Sequence, residues 1–336
     1  MYSLVRPLLF ELPPQQAHAL SLAFLHLLGK FSALDPESAD HSVRVAGLDF
    51  RNRVGIAAGF DKNGLAPLGS QRLGVGFVEV GTVTPLPQRG NAKPRVFRIK
   101  QERALVNNLG FNGRGAKAMA ARLSATRHLI HVPLGIYVGP NQQTPLERAV
   151  LDYEAAMAVL ARFADYFAIN VSSPNTPGLR RLQASGWAED LLGRLVEFRN
   201  ALARDIGRRI PMFVKLSPDM SESETRDLAR TVMQSGCNGL IATNSTSARP
   251  VRDRRAHTRP GGLSGKPLLS QSIACVETLR SEIGWEFPII GVGGIHDIES
   301  ALRMRRAGAD LLQLYTGLIY EGPGLLRILS KKLAAR

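Results

Sequence analysis

The chain has 336 residues, 44% of them apolar and 21% charged, with 32 glycines. That composition excludes a disordered or fibrous protein and suffices for a large core, as one α/β domain or two smaller ones. A formal net charge of +15 favours an anionic partner surface, acidic lipid or nucleic acid, and says nothing about fold. The two cysteines, Cys237 and Cys275, are far apart with no CxxC and no histidine-rich segment beside them. Neither a zinc site nor a disulfide framework is expected, and a reducing compartment fits.

The chain opens with a short apolar piece, "LVRPLLFEL" (4–12), ended by Pro13-Pro14. In the next stretch, 17–34, Leu20, Phe24, Leu27, Leu28 and Phe31 recur at helical spacing, which predicts an amphipathic helix with these residues on one face. No run reaches the roughly 18–20 apolar residues of a membrane span, and no secretory cleavage pattern follows. Two readings stay open for residues 1–40: a helical pair packed on the main domain, or an interfacial hairpin dipping into lipid.

From residue 45 onward, eight short apolar runs alternate with helix-like stretches: 54–59, 77–84, 133–139, 166–173, 211–218, 239–245, 287–294 and 311–317. They are nearly continuous rather than alternating, as parallel strands covered on both faces are. Thr144-Pro145-Leu146-Glu147 and Ser221-Glu222-Ser223-Glu224 read as capping boxes. Segment 85–132 is too long for one crossover and is expected to hold an inserted hairpin, with "RVFRIK" (95–100) as one strand. Eight strand–helix units predict a (β/α)₈ TIM barrel over 45–336 behind the N-terminal helical extension. A doubly wound sheet is the structural alternative.

In a barrel the chemistry sits at the C-terminal strand ends. Those ends carry Lys62, Thr82, Asn170, Ser172, Ser173, Lys215, Thr243, Asn244, Gly293, Gly294, Tyr315 and Thr316. The set is polar, cationic and poor in carboxylates. It excludes a Ser-His-Asp triad and a glycosidase pair, and it offers no metal ligand cluster. It suits an electron-rich anion. "IIGVGGI" (289–295) and "LYTG" (314–317), in the seventh and eighth units, match the phosphate-binding position of such barrels. Lys215 stands in an otherwise apolar strand, where a buried ammonium needs an anionic or acceptor partner.

One stretch needs more than a fold to explain it. "INVSSPNTPGLR" (169–180) ends a strand in two hydroxyls and two prolines, a composition that reads as a turn. With "AAGFDKNG" (57–64), "VEVGTVTP" (78–85), "VKLSPD" (214–219), "IATNST" (241–246), "GGLSGKPL" (261–268) and "IIGVGGI" it makes an ordered set, and over residues 1–330 the chain resembles the class 2, membrane-associated dihydroorotate dehydrogenases.

The resemblance implies FMN as cofactor, dihydroorotate as substrate, orotate as product and a membrane quinone as electron acceptor. It implies a peripheral, monomeric protein on the cytoplasmic side of the cell membrane, held to acidic lipid by its N-terminal helices and binding no nucleic acid. It makes Ser173 the catalytic base, relaying its proton through Thr176 and water. It places Ala58, Gly59, Phe60, Asp61, Lys62, Thr82, Tyr137, Asn170, Lys215 and Thr243 along the flavin, with Gly265, Gly294, Tyr315 and Thr316 at the phosphate. Substrate contacts fall to Lys62, Asn107, Asn108, Leu109, Gly110, Phe111, Asn170, Asn175, Asn244 and Ser245.

The chain departs from the family pattern at three places: Asn108 stands for an Arg, Pro140 for a Lys, and Tyr137 for an Asn that meets the flavin. The Tyr137 ring is expected to turn so that its hydroxyl still reaches the flavin or a bridging water. Two alternatives remain beside this reading. One is a degenerate flavin- or phosphate-binding barrel without turnover. The other is a flavoenzyme like the tRNA dihydrouridine synthases, which requires an active-site cysteine.

Overall fold

The computed structural model describes residues 2–31 and 42–333; the expected extension, 1–40, therefore lies partly outside the described residues. The chain begins with helices α1 (Tyr2–Glu11) and α2 (Pro14–Phe31), then a hairpin of β1 (Val43–Val45) and β2 (Leu48–Phe50). There follow β3 (Val54–Asp61), α3 (Pro67–Gln71), β4 (Phe77–Val83), β5 (Val96–Ile99), β6 (Ala104–Asn107), α4 (Gly115–Thr126), β7 (Leu134–Val138) and α5 (Ala149–Leu160). Next come β8 (Tyr166–Asn170), α6 (Ser185–Ile206), β9 (Met212–Leu216), α7 (Glu222–Gln234), β10 (Gly239–Ala242), α8 (Arg254–His257) and β11 (Gly262–Gly265). The chain closes with α9 (Leu269–Ile283), β12 (Ile289–Val292), α10 (Ile298–Arg306), β13 (Leu311–Leu314), α11 (Thr316–Glu321) and α12 (Gly324–Lys332).

Each of the eight apolar runs becomes a barrel strand, in the closed order β3, β4, β7, β8, β9, β10, β12, β13. Every pairing in the barrel is parallel, so the open-sheet alternative falls. The strands are apolar throughout because helices cover the outer face and the lumen is itself packed. Phe77, Tyr166 and Phe213 fill the N-terminal half of the lumen, and Phe50 of the β1–β2 hairpin closes that end with its ring 5.3 Å from Phe77. Glycine faces these rings where nothing larger fits. A Cβ on Gly135 would lie 2.1 Å from the Tyr166 ring, and one on Gly55 would lie 2.6 Å from Phe77.

Segment 85–132 does carry the expected hairpin: β5 pairs antiparallel with β6. A third strand, β11, arrives from beyond β10 and pairs with β6, which roofs one side of the barrel mouth. The Ser221 capping box forms, with Glu224 as the reciprocal partner. The Thr144 box does not. The Thr144 hydroxyl donates to Asp152 Oδ2 at 2.6 Å, the same oxygen takes the Asn141 N–H at 2.7 Å, and α5 begins only at Ala149 after a 3₁₀ turn. A carboxylate one turn inside the helix outcompetes the backbone for that hydroxyl.

The two N-terminal helices pack across the barrel's side. α2 approaches α3 so closely that a Cβ on Gly69 would lie 1.8 Å from the Leu25 carbonyl oxygen. Arg98 of β5 donates to the carbonyls of Leu9, Phe10 and Leu12 at 3.2, 3.2 and 2.7 Å, satisfying and charge-complementing the end of α1. Of α2 only Ala17 and Leu25 are buried, and of α1 nothing. The periodic face points away: Leu20, Phe24, Leu27 and Phe31 are 54, 63, 51 and 80% exposed, and only Leu28 is partly covered. Leu4 and Leu8 of α1 are exposed as well. The helix pair thus packs on the main domain through one side, as one of the two readings expected, and leaves an apolar face exposed on the other. Among the described residues no helix is long and apolar enough to cross a membrane.

Candidate active site

A cleft enclosing about 1030 Å³, mouth included, opens at the C-terminal end of the barrel beneath the β5–β6–β11 roof. Its wall gathers Ala58, Gly59, Lys62, Thr82, Tyr137, Asn170, Lys215, Thr243, Gly294, Tyr315 and Thr316 from the barrel side. From the roof and the loop that follows it come Gly265, Asn107, Leu109, Gly110 and Phe111, from the loop after β8 Ser173 and Asn175, and from the loop after β10 Asn244 and Ser245. Residues that the sequence scatters over some 260 positions thus meet in one place.

Four candidates are not on that wall. The Asp61 carboxylate turns into its own loop and accepts the N–H groups of Asn63, Leu65 and Ala66 at 3.1, 3.0 and 2.7 Å. It shapes the turn that aims Lys62. Phe60 points outward to α2, its ring 5.4 Å from His18 and 5.9 Å from Tyr315. Asn108 faces Asn91, accepting from its Nδ2 at 2.7 Å. The Thr176 hydroxyl is buried and makes no hydrogen bond among the described residues, so it does not touch Ser173 directly.

The cleft's amides are held in fixed orientations. The Asn170 amide donates to Thr82 Oγ1 at 2.8 Å and its Oδ1 accepts the Ser172 N–H at 3.3 Å, while the Asn170 backbone carbonyl takes the Tyr153 hydroxyl at 2.7 Å. Asn175 donates to Asn107 Oδ1 at 2.9 Å, and Asn244 to Ser172 Oγ at 3.0 Å. Asn175 Oδ1 is left as a buried acceptor with no donor among the described residues, which is the polarity a ligand N–H requires. Ser173 is buried to 5% exposure, and its Oγ accepts the Asn175 N–H at 3.2 Å.

Among the described residues two cations, Lys62 and Lys215, and no carboxylate line the cleft. Burial, with the Arg95 charge adding to it, pushes the Lys62 ammonium down to about 8. Neither ammonium has a hydrogen-bond acceptor among the described residues, and Lys215 Nζ lies 5.2 Å from the centroid of the Tyr137 ring. The Tyr137 phenol, which burial raises well above its ordinary pKa, lies 3.5 Å from Ser172 Oγ, at the outer limit of a hydrogen bond. Its hydroxyl therefore turns toward the β8 loop.

Two arginines that local spacing does not single out organise these loops. Arg180 donates to the Ser172 carbonyl at 3.1 Å, to Asp219 at 2.7 Å, to Ser247 Oγ at 3.0 Å and to the Ser245 carbonyl at 3.1 Å. It ties together the loops after β8, β9 and β10. Arg95 donates to the carbonyls of Arg89 and Asn91 at 2.6 and 2.9 Å, behind the Asn107–Phe111 segment. Cys237 and Cys275 are absent from the wall, and burial raises their thiols to about 11 and about 12. A mechanism needing an active-site thiol is excluded on both counts.

The family model described as "Dihydroorotate dehydrogenase" matches residues 41–336. A protein of Alkalilimnicola ehrlichii named "Dihydroorotate dehydrogenase (quinone)" is 46% identical, covering 99% of each chain. One of the same name from Azotobacter vinelandii is also 46% identical, over 100% of this chain and 97% of its own. Among solved structures, DHODH from Eimeria tenella in complex with ferulenol superposes with a TM-score of 0.89 at 37% identity, covering 95% of this chain and 90% of that one.

Proposed function

The chain belongs to the dihydroorotate dehydrogenase family and oxidises dihydroorotate to orotate in pyrimidine biosynthesis with a quinone as acceptor, and from that premise we propose that FMN is its cofactor, held in the cleft. The observation that carries this reading is a cleft walled by fixed amides and backbone that, among the described residues, holds two acceptor-free ammonium groups and no carboxylate. Gly59 supports the fit, since a Cβ there would meet only Tyr315, at 3.4 Å, and would otherwise fill the cleft. When bound, FMN supplies the two-electron acceptor for dihydroorotate and the donor for quinone.

The roles of the chain's own residues follow from their chemistry. Lys215 is a fixed cation for negative charge developing on the cofactor side. Lys62 offers charge to the substrate carboxylate, and Asn107, Asn170, Asn175 and Asn244 offer paired donors and acceptors to its amide edges. Ser173 takes the proton from carbon 5. A serine is a weak base alone, so its proton must move on, and the buried, uncommitted Thr176 hydroxyl reached through water is the relay we favour. Gly265, Gly294, Tyr315 and Thr316 would hold the phosphate. We further propose that residues 1–40 form the quinone and lipid-facing extension of a barrel domain spanning 45–336. The apolar face of α1 and α2 supports a peripheral seat on the cytoplasmic side of an acidic membrane. A monomeric state is part of the same proposal. The test is direct: the purified protein is yellow, bleaches with dihydroorotate and recovers its colour with a quinone. A protein that binds FMN but does not bleach would refute the site as assigned.

Lys62 gives the reaction a pH dependence. Below about 8 the group is cationic and pairs with the substrate carboxylate; above that it is neutral and the pairing is lost. We expect kcat/KM for dihydroorotate, which reports the free enzyme, to fall as pH climbs through about 8. In Lys62→Met the whole profile lies lower and this alkaline limb is absent. A limb that persists unchanged in the variant belongs to another group.

Tyr137→Phe should change FMN affinity several-fold at most, because a stretched hydrogen bond between neutral groups is worth no more than about 1 kcal/mol, while the ring beneath Lys215 remains. Tyr137→Asn, which restores the family's usual residue, should leave affinity equal or improved. Loss of FMN from either variant, measured by fluorescence titration, would make the phenol a specific cofactor ligand.

A further inference from the structure

The barrel lumen contains a charge that the roles above do not use. In the eight barrel strands the only cationic residue is Lys215, and the only carboxylates are Asp61 and Glu79. Asp61 spends both oxygens on three backbone N–H groups of its own loop. Glu79, in the middle of β4, is fully buried. Its Oε2 accepts the Tyr166 hydroxyl and Gln313 Nε2, each at 3.0 Å. Its Oε1, like Gln313 Oε1, receives no hydrogen bond among the described residues. Two neutral donors on one oxygen are weak compensation for a carboxylate taken wholly out of water.

Lys215 has the complementary deficit. It is 5% exposed, has no acceptor among the described residues, and rests against an aromatic face. The ionisable groups around it come from few elements. Tyr137 of β7 lies against it, and Lys62 and Tyr315 share its cleft; Glu79 of β4 is bonded to Tyr166 of β8, whose ring packs 5.3 Å from Phe213, two residues before Lys215 on β9. β10, β12 and the lumen part of β13 carry none. Burial holds the phenols of Tyr137 and Tyr166 well above their ordinary range and that of Tyr315 at about 12, so all three are neutral. Lys62 has the wrong sign. In a dry lumen a charge acts beyond contact distance, because little solvent screens it.

We propose that Glu79 is the fixed counter-anion of Lys215, a positioning residue that keeps the ammonium protonated inside the barrel and so preserves the cation on which the reaction depends. Desolvation lowers the affinity of Lys215 for its proton, and Glu79 acts in the opposite direction. The catalytic consequence rests on the FMN reading; the charge pairing itself does not.

The experiment separates the two. Lysine side chains of the full-length, FMN-free protein are labelled with ¹³C at Cε, and the Lys215 signal, assigned by its loss in Lys215→Met, is titrated by NMR. In Glu79→Gln, which keeps the Tyr166 contact and offers an N–H to Gln313 Oε1, the Lys215 pKa falls by about one unit or more, a tenfold loss of proton affinity. Glu79→Met, which also removes the charge but not the bulk, must shift it the same way, so the result does not hang on one variant folding. In the FMN-loaded Glu79 variants the limb assigned to Lys62 stays near 8, and a second alkaline limb, retained when Lys62→Met is added, follows the lowered Lys215 titration. An unchanged Lys215 titration in either folded variant overturns the proposal. A shifted titration supports it even in a protein that takes up no FMN, an outcome that would count against the cofactor reading alone.

Discussion

Ser173→Ala keeps the bound flavin yellow and slows its reduction by dihydroorotate by about 10²–10⁴-fold, the range that a positioned general base contributes. The expectation rests on separable geometry. The Ser173 hydroxyl lines the cleft, yet among the described residues its one hydrogen bond is that accepted from Asn175 N–H at 3.2 Å. Removing it costs the β8 loop little, because Arg180 anchors that loop through the Ser172 carbonyl, Asp219 and the Ser245 carbonyl. Asn170, Lys215 and Thr243 are untouched, so cofactor affinity should hold. The rate loss should appear in the reductive half-reaction and not in reoxidation by quinone, and stopped-flow spectra under anaerobic conditions read the two separately. If Ser173→Ala bleaches at the wild-type rate, another group takes the proton.

Removal of residues 1–40 abolishes turnover with quinone and association with anionic vesicles, while dihydroorotate still bleaches the flavin. The helices meet the cleft at second hand, through Phe60, whose ring lies between His18 and Tyr315, through Arg98 of the roof strand β5, and through Tyr2 and Arg6 on α11. None of their residues lines the cleft. What they add is the outward apolar face of Leu20, Phe24, Leu27 and Phe31, joined by Leu4 and Leu8. The truncated protein should also melt at a lower temperature, because Leu25 belongs to the main core and α3 loses its cover. Unchanged quinone kinetics in a truncated protein that remains folded would reduce the helix pair to a structural brace.

The elements that local chemistry specifies were legible before the structure. Continuous apolar runs bounded by glycine placed all eight barrel strands, and the excess length of 85–132 announced the β5–β6 hairpin. The Ser221 box formed because no nearby group competes with the backbone for its hydroxyl, whereas Thr144 is claimed by Asp152. The cleft residues were legible for the same kind of reason, since strand ends in a barrel converge wherever the sheet closes. Phe60 and Asp61 do not line the cleft, because long-range packing on α2 takes the Phe60 ring and the turn after β3 takes the Asp61 carboxylate. Lys62 alone of that run reaches substrate space, while Asp61 serves its own turn and Phe60 serves α2.

Taken by itself, the sequence determined which segments are strands, that they close into a barrel with a helical extension, and which polar side chains stand at the strand ends. Each of these depends on periodicity or on residues a few positions apart. Only the tertiary structure decided that β11 roofs the cleft, that Arg180 binds residues up to 67 positions away, and that Glu79 meets Gln313 across 234 positions. These partners are brought together by closure of the barrel. A lone arginine or a glutamate in an apolar strand carries no local mark of the group it will face, because burial and partner are properties of the closed fold.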